Sequence, residues 1–128
     1  MQKIAIAPNA FRGSLSAIEA TKIIQIGLEK SNLNCKLIPI PLADGGDGTL
    51  NVLIHAKNGK IIKEAVFNPI GKKITAEFGI ADQTAIIEMA KASGIELIKA
   101  PEQNPLKTTT YGTGQLIKSA ITKGATTI

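Results

Sequence analysis

The sequence predicts an α/β protein, in which a parallel sheet flanked by helices is followed by the start of a second, mixed α/β domain. Two observations support this class. Strand-like and helix-like patterns alternate in the first half of the chain, and a hairpin-like pattern follows them. Hydrophobic residues make up 44% of the 128 residues but aromatic residues only 3%, so the core must consist of aliphatic side chains. That composition suits a sheet covered by helices.

A strand, a helix and a second strand are predicted at the start of the chain. Residues 3–7 are nearly all apolar and predict a strand buried on both faces of a parallel sheet. Ser16 and Glu19 have the spacing of a capping box and predict a helix through about Lys30, with Ala17, Ala20, Ile24, Gly27 and Leu28 on one face. Residues 35–42 predict the second strand.

This order predicts where the connecting loops lie. A right-handed crossover makes the two strands parallel and gathers the loops at their carboxyl ends on one edge of the sheet. Those loops are residues 8–15 and 43–49. We therefore expect any ligand of this part of the chain at that edge.

The pattern changes after about residue 67. A helix is predicted at about 49–56 and a strand at 60–67. A type I turn at Asn68, Pro69 and Gly71 then leads into strands at 72–80 and 84–89, which a hairpin joins. The last predicted elements are a helix at about 113–122 and a β-branched run to Ile128. We expect residues 1–66 to be the first part of one α/β domain. Residues 67–128 are expected to start a second mixed α/β domain that is truncated here.

Composition excludes several classes of protein. The net charge is +5, but the lysines are scattered, so we expect no nucleic-acid partner. The one cysteine, Cys35, cannot form an internal disulfide, and the first residues lack the features of a signal peptide, which together predict a cytoplasmic location. No apolar stretch approaches the ~20 residues of a membrane span. An oligomer is compatible with all of these properties.

The first candidate site is the loop around Arg12. Its exposed N–H groups, the positive end of the following helix dipole, Ser14, Ser16 and the Arg12 cation would attract a phosphate or carboxylate. The loop contains only one glycine, Gly13, and matches neither standard glycine-rich phosphate motif. A capped helix after a turn is the structural alternative.

The second candidate site is the segment LADGGDGT, residues 42–49. Gly45 and Gly46 let a ligand approach the backbone closely, while Asp44 and Asp47 can accept a proton or hold a hydrated magnesium ion. A tight turn in which Asp47 caps the next helix is the structural alternative.

The third candidate site precedes the last helix. The hydroxyl groups of Thr108, Thr109 and Thr110 and nearby N–H groups could contact an anionic substrate or a nucleotide. Helix capping by Thr110 or Thr113 is the simpler account.

Three other residues have side chains that could belong to a site. Glu88 is a carboxylate among apolar neighbours, which predicts either partnered burial or a place in the site. His55 has no metal-ligand partner at suitable spacing and is expected on the surface or in packing. Cys35 is expected to fill space in the core.

Five segments in this order resemble the type 1 glycerate kinase family over essentially all of the chain. They are KIAIAPNAFRGSLSA, PLADGGDGT, the NPIG turn with its hairpin, IIEMAKASGIELI, and NPLKTTTYGTGQLI. The resemblance implies a kinase that uses ATP and Mg²⁺ to phosphorylate glycerate, giving 2-phosphoglycerate. It also implies a Rossmann-like, nucleotide-binding-like domain beside a second α/β domain, with the site between them.

The resemblance has consequences for the length and the site. Family members are much longer, so we expect this chain to be an N-terminal portion that is inactive alone. The family usually carries Asp, Ser and Lys where this chain has Asn9, Ala10 and Arg12. The loss of a carboxylate at position 9 places more weight on Asp44 and Asp47, whose roles as base and magnesium ligand stay interchangeable.

The expected mechanism is direct phosphoryl transfer. Asp44 or Asp47 would orient or deprotonate the substrate hydroxyl, and Arg12 would stabilise charge on the phosphoryl group. Substrate contacts are expected from Gly13, Ser14, Gly45, Gly46, Glu88, Thr108, Thr109 and Thr110. A non-catalytic anion-binding or regulatory module on the same scaffold is the alternative function.

Overall fold

Strands and helices alternate along the computed structural model, which describes residues 1–128. The strands are β1 (Gln2–Ile6), β2 (Cys35–Pro39), β3 (Lys60–Phe67), β4 (Lys73–Ala81) and β5 (Thr84–Ile86). The α-helices are α1 (Ala17–Glu29), α2 (Thr49–Lys57), α3 (Ala90–Ser93) and α4 (Tyr111–Thr122), and two short 3₁₀ helices span Ile95–Leu97 and Ala100–Glu102. Contacts divide the chain into two compact units, Met1–Val52 and Leu53–Ile128.

The first helix begins where the capping-box spacing predicts. The Ser16 side chain accepts a hydrogen bond from the Glu19 N–H at 3.2 Å, and a Glu19 carboxylate oxygen accepts from the Ser16 N–H at 3.0 Å. The Ser16 hydroxyl and N–H lower the pKa of Glu19, because both donate to its carboxylate. Ala17, Ala20 and Thr21 are the buried residues of α1, whereas Ile24 of the predicted face is 38% exposed.

The first unit contains the predicted parallel pair of strands. β1 pairs with β2 from Gln2 opposite Cys35 to Ile6 opposite Pro39, and α1 packs on both strands. The prediction that β1 is buried on both faces is wrong, since Ile6 is buried but Ala5 is exposed. One helix covers one face of a two-stranded sheet, which explains why the apolar run is only half buried.

The second unit is built on an antiparallel sheet in the order β3-β4-β5. The predicted turn is confirmed, because the Gly71 N–H donates to the Asn68 carbonyl at 3.0 Å. The Asn68 side chain also accepts from the N–H groups of Ile70 and Lys72, which fixes the turn. The predicted hairpin between β4 and β5 is confirmed, with Asp82 at a positive φ of 53°.

Helices α3 and α4 cover this sheet and close the second core. The buried cluster consists of Val66, Ala76, Phe78, Ala85, Ala92, Leu116, Ala120 and Ala125. Helix α4 starts two residues before the predicted Thr113 and ends at Thr122, two residues before Gly124, whose φ is +92°. After it, the Thr127 carbonyl accepts from the Ala85 N–H at 2.8 Å, so the β-branched run pairs beside β5.

The mixed α/β class with a parallel strand pair is therefore present. The boundary between the compact units falls inside α2, and β3 belongs to the second unit. Domains at residues 1–66 and 67–128 stay a prediction.

Candidate functional site

The two candidate loops of the first unit leave the sheet side by side. Parallel pairing continues past the strands, because the Ile40 N–H donates to the Ile6 carbonyl at 2.8 Å and the Leu42 N–H to the Pro8 carbonyl at 3.0 Å. The loops that carry Arg12 and Asp44 begin directly after these paired residues. Strand geometry thus places the starts of both loops at one edge of the β1-β2 sheet, while a joint role of the two side chains stays a prediction.

The arginine loop is a tight turn closed by its own backbone. The N–H groups of Ser14 and Leu15 donate to the Phe11 carbonyl at 2.8 and 3.1 Å, and the Phe11 N–H donates to the Leu15 carbonyl at 2.9 Å. Gly13 has a φ of +76°, a conformation that favours glycine and permits this turn. The side chains of Arg12 and Ser14 are exposed.

These bonds correct one part of the sequence interpretation. The N–H groups of the loop were expected to be available to an anion, but most already have partners within the chain. The Ala10 N–H donates to Asn9 Oδ1, and the Ser16 hydroxyl donates to Glu19 Oε2 at 2.7 Å. Ser16 therefore serves as a helix cap, and the groups that this loop offers a ligand are chiefly the Arg12 cation and the Ser14 hydroxyl.

The acidic glycine loop turns sharply before α2. Asp44 Oδ1 accepts from the Gly46 N–H at 3.1 Å, which fixes the carboxylate relative to the loop. Gly45 and Gly48 have φ values of +98° and +92°, which other residues adopt only at a cost. Asp44 and Asp47 are both exposed, so two carboxylates three residues apart are accessible to a ligand.

Thr49, at the end of this loop, was not predicted from the sequence to be unusual. The Thr49 hydroxyl is buried and has no hydrogen-bond partner. Buried polar groups are normally paired, so such a hydroxyl is a departure from the rule. The sequence could not predict this unpaired hydroxyl, because a single neighbouring carbonyl oxygen would be enough to accept a hydrogen bond from the same threonine.

In the second unit, Glu88 lies buried at the end of the segment before α3. The residue is 5% exposed, and its Oε1 is 3.9 Å from Lys91 Nζ. Of the two alternatives predicted for Glu88, partnered burial and a place in the site, the structure contains the first. The proposed substrate contact of Glu88 stays a prediction.

The predicted threonines line a pocket of about 680 Å³ within the second unit. The residues around it are Pro69, Ser93, Ile95, Ile98, Gln103, Asn104, Pro105, Thr108, Thr109 and Thr110. The structure thus brings Thr108, Thr109 and Thr110 together around one space. Ser93 and Asn104 are polar lining residues that the sequence did not single out.

Capping of α4 differs from the sequence expectation. Thr110 occupies the N-cap position but its side chain makes no capping hydrogen bond, and Thr113 lies inside the helix. The Thr113 hydroxyl instead lies 2.7 Å from the Ser93 hydroxyl, and Thr109 Oγ1 accepts from the Tyr111 N–H at 3.1 Å. The Thr110 hydroxyl is therefore available at the pocket.

The remaining candidate residues form no metal cluster. The chain contains no cluster of three or more His, Cys, Asp or Glu residues that could hold a metal ion. His55 is exposed and Cys35 is half-buried with a free thiol. None of the helices has both the length and the apolar character that a bilayer crossing requires.

Comparison with known proteins identifies the family. The model of the glycerate kinase family matches residues 4–128. The chain belongs to the glycerate kinase family. It is 46% identical over 125 residues to glycerate kinase of Bacillus subtilis (strain 168), which covers 96% of this chain and 33% of that protein. It is 43% identical over 128 residues to glycerate 2-kinase of Escherichia coli (strain K12), covering 98% of this chain and 34% of that protein.

A solved structure is similar in both sequence and fold. A crystal structure provisionally assigned as glycerate kinase 2 of Salmonella typhimurium LT2 superposes with a TM-score of 0.83 at 41% identity. The match covers 98% of this chain and 34% of the glycerate kinase structure. The chain thus spans about a third of the length of the curated relatives that it matches.

Proposed function

We propose that the protein containing this chain is a glycerate kinase that transfers the terminal phosphoryl group of ATP to glycerate. The observation that supports this most directly is the pair of adjacent loops on the β1-β2 edge, one with an exposed cation and the other with two exposed carboxylates, in a chain of this family. Phosphoryl transfer depends mainly on positioning and on neutralising charge, and these groups supply both. The single cysteine supports a cytoplasmic location.

In the proposed reaction, Asp44 acts on the substrate hydroxyl. Its carboxylate is held by the Gly46 N–H, so it can keep one orientation towards a bound alcohol. The hydroxyl oxygen forms a bond to the terminal phosphorus as the bond to the bridging oxygen breaks, and ADP leaves with that electron pair. The hydroxyl proton passes to Asp44. Arg12 stabilises the negative charge of the phosphoryl oxygens with its planar guanidinium.

Asp47 is the residue to which we assign magnesium. Carboxylate oxygens are the ligands that Mg²⁺ prefers, and one or two of them with phosphate oxygens are sufficient. The exposed loop that carries Asp44 and Asp47 fits that donor set. If Asp47 binds the ion, Asp44 remains available to act on the substrate hydroxyl. When bound, the ion would neutralise phosphate charge.

The proposed position of phosphorylation is suggested by the name of a relative. The Escherichia coli protein of similar sequence is named glycerate 2-kinase, and we propose the same 2-hydroxyl as the acceptor here. The product would be 2-phosphoglycerate. Product identification by phosphorus NMR distinguishes it from the 3-phosphate.

The test uses a protein of the relatives' full length that carries these residues. We expect ATP- and glycerate-dependent ADP release, with Asp44→Asn and Arg12→Ala each lowering kcat by about 10²-fold or more. Asp82→Asn and Lys36→Ala change exposed residues outside the loops and serve as matched controls. Near-normal turnover of a folded Asp44→Asn protein rejects its assigned role. Glycerate binding without any turnover would favour the non-catalytic, anion-binding module.

A further inference from the structure

The pocket of about 680 Å³ in the second unit is much larger than glycerate requires. Pockets of ~300–1,000 Å³ typically enclose ligands of drug or cofactor size. A three-carbon acid would occupy a small part of this space and contact few of its walls. The size therefore indicates the larger of the two proposed substrates, ATP, or a part of it.

The lining favours an uncharged portion of that substrate. No Lys, Arg, Asp or Glu side chain lines the pocket. Phosphate and carboxylate groups are bound most strongly by charge-assisted hydrogen bonds, which this lining cannot supply from side chains. An uncharged ligand portion fits it better.

The remaining groups suit a flat heterocycle joined to a sugar. Ile95, which is 63% exposed, and Ile98 provide apolar walls for the faces of a ring. Asn104 Oδ1 is held by the Leu106 N–H at 3.0 Å, so its amide nitrogen remains to donate. Gln103 and Thr108 add an amide and a hydroxyl, which can donate and accept along a base edge or a ribose.

We propose that this pocket binds the nucleoside portion of ATP. This inference rests on the proposed kinase function and goes beyond it by naming the part of the chain that recognises the phosphoryl donor. The Thr108–Thr110 segment then contacts the nucleotide and not glycerate. Apolar walls with a few placed polar groups are the usual composition of such sites.

The experiment compares three pocket variants with one control in a protein of full family length. Ile95→Trp fills the pocket from an exposed position, and Gln103→Ala and Thr108→Val each remove polar groups with little change to the core. Ile121→Trp, on the exposed side of α4 and outside the pocket lining, is the matched control. The readouts are KM for ATP, KM for glycerate, and calorimetric binding of adenosine and of inorganic tripolyphosphate as separate probes.

We expect Ile95→Trp to raise KM for ATP and to weaken adenosine binding by about tenfold or more, because a ring and an indole cannot share the space. Gln103→Ala and Thr108→Val should each weaken adenosine binding about fivefold, the typical value of one hydrogen bond. KM for glycerate, tripolyphosphate binding and the Ile121→Trp protein should be unchanged.

Two results overturn the inference without touching the proposed function. The first is an Ile95→Trp protein in which KM rises for glycerate but not for ATP. The second is a kinase that stays active and binds adenosine with the same affinity in all three pocket variants. Conversely, Ile95-dependent adenosine binding in a protein without glycerate turnover would support the nucleoside pocket and reject the proposed function.

Discussion

At the scale of single residues, the buried Thr49 hydroxyl is expected to lower the stability of the fold. It is buried without a hydrogen-bond partner at the first residue of α2. Thr49→Val keeps the β-branched shape but removes the polar atom, so we expect the free energy of unfolding to rise by about 1 kcal/mol. Urea unfolding measures the change.

Thr21→Val is the matched control for Thr49. The Thr21 hydroxyl is also buried, but it donates to the Ala17 carbonyl at 2.7 Å. Removal of that bond should lower the free energy of unfolding by about 1 kcal/mol, so the two substitutions are expected to have opposite signs. A loss of stability on Thr49→Val as large as that of Thr21→Val would show that Thr49 has a partner in the protein.

At the scale of elements, α4 approaches β3 so closely that one glycine is required. A Cβ added at Gly112 would lie 2.0 Å from the Phe67 carbonyl oxygen, whereas one added at Gly114 would meet nothing within 4 Å. Gly112→Ala should therefore lower the free energy of unfolding by about 3 kcal/mol, because the backbone must move apart. Gly114→Ala should raise it by about 0.5–1 kcal/mol, because alanine favours the helix.

Thermal unfolding of the two alanine variants gives the measurement. The pair is informative because both glycines lie in the same helix, so the intrinsic effect of alanine on helix formation is similar at the two positions. Equal effects of the two substitutions would contradict a packing role for Gly112.

A titrating contact also joins α4 to β3. The Ser119 hydroxyl donates to Glu64 Oε2 at 2.6 Å, and Lys123 Nζ lies 3.7 Å from the same oxygen. The Ser119 bond and then the Lys123 charge lower the pKa of Glu64 below its ordinary value of 4.5, against the opposing effect of burial. The contact therefore stabilises the fold above pH 4.5, and this contribution is lost as the pH falls through the lowered pKa.

We expect Ser119→Ala to destabilise the protein at pH 7 and to have a smaller effect at a pH below the lowered pKa of Glu64, where this carboxylate is protonated. Ser93→Ala is the control, because the Ser93 hydroxyl pairs with the uncharged Thr113 hydroxyl. Its effect should be the same at both pH values. Urea midpoints of both variants across pH 3–7 provide the test, and parallel curves would contradict the coupling.

The success of sequence-based prediction differed with the range of the interactions. The start of α1 and the turn at Asn68 were predictable, because both depend on residues within four positions of each other. The exposure of Ala5 in β1 was not, since it depends on which helices cover the sheet. In the candidate site, sequence found the residue types but not the bonded N–H groups of the arginine loop, nor Ser93 and Asn104 at the pocket.

At the scale of the whole molecule, burial is distributed unequally between the two units. In the first, Ile6 is the only fully buried residue of the β1-β2 pair. In the second, β4 alone contributes the buried residues Ala76, Phe78, Gly79 and Ala81. Opening of a segment costs more free energy where more apolar surface is buried.

We therefore expect amide hydrogens of β3, β4 and α4 to exchange more slowly than those of β1 and β2 in the 128-residue chain. Hydrogen exchange followed by mass spectrometry of peptic peptides measures the difference. Phe78→Ala, which truncates a completely buried ring, should accelerate exchange throughout the second unit, because such losses typically cost ~3–5 kcal/mol. Phe11→Ala, at a ring that is 55% exposed, is the matched control and should leave exchange there unchanged. Slower exchange in β1 and β2 than in β4 would show that burial within these residues does not determine local stability.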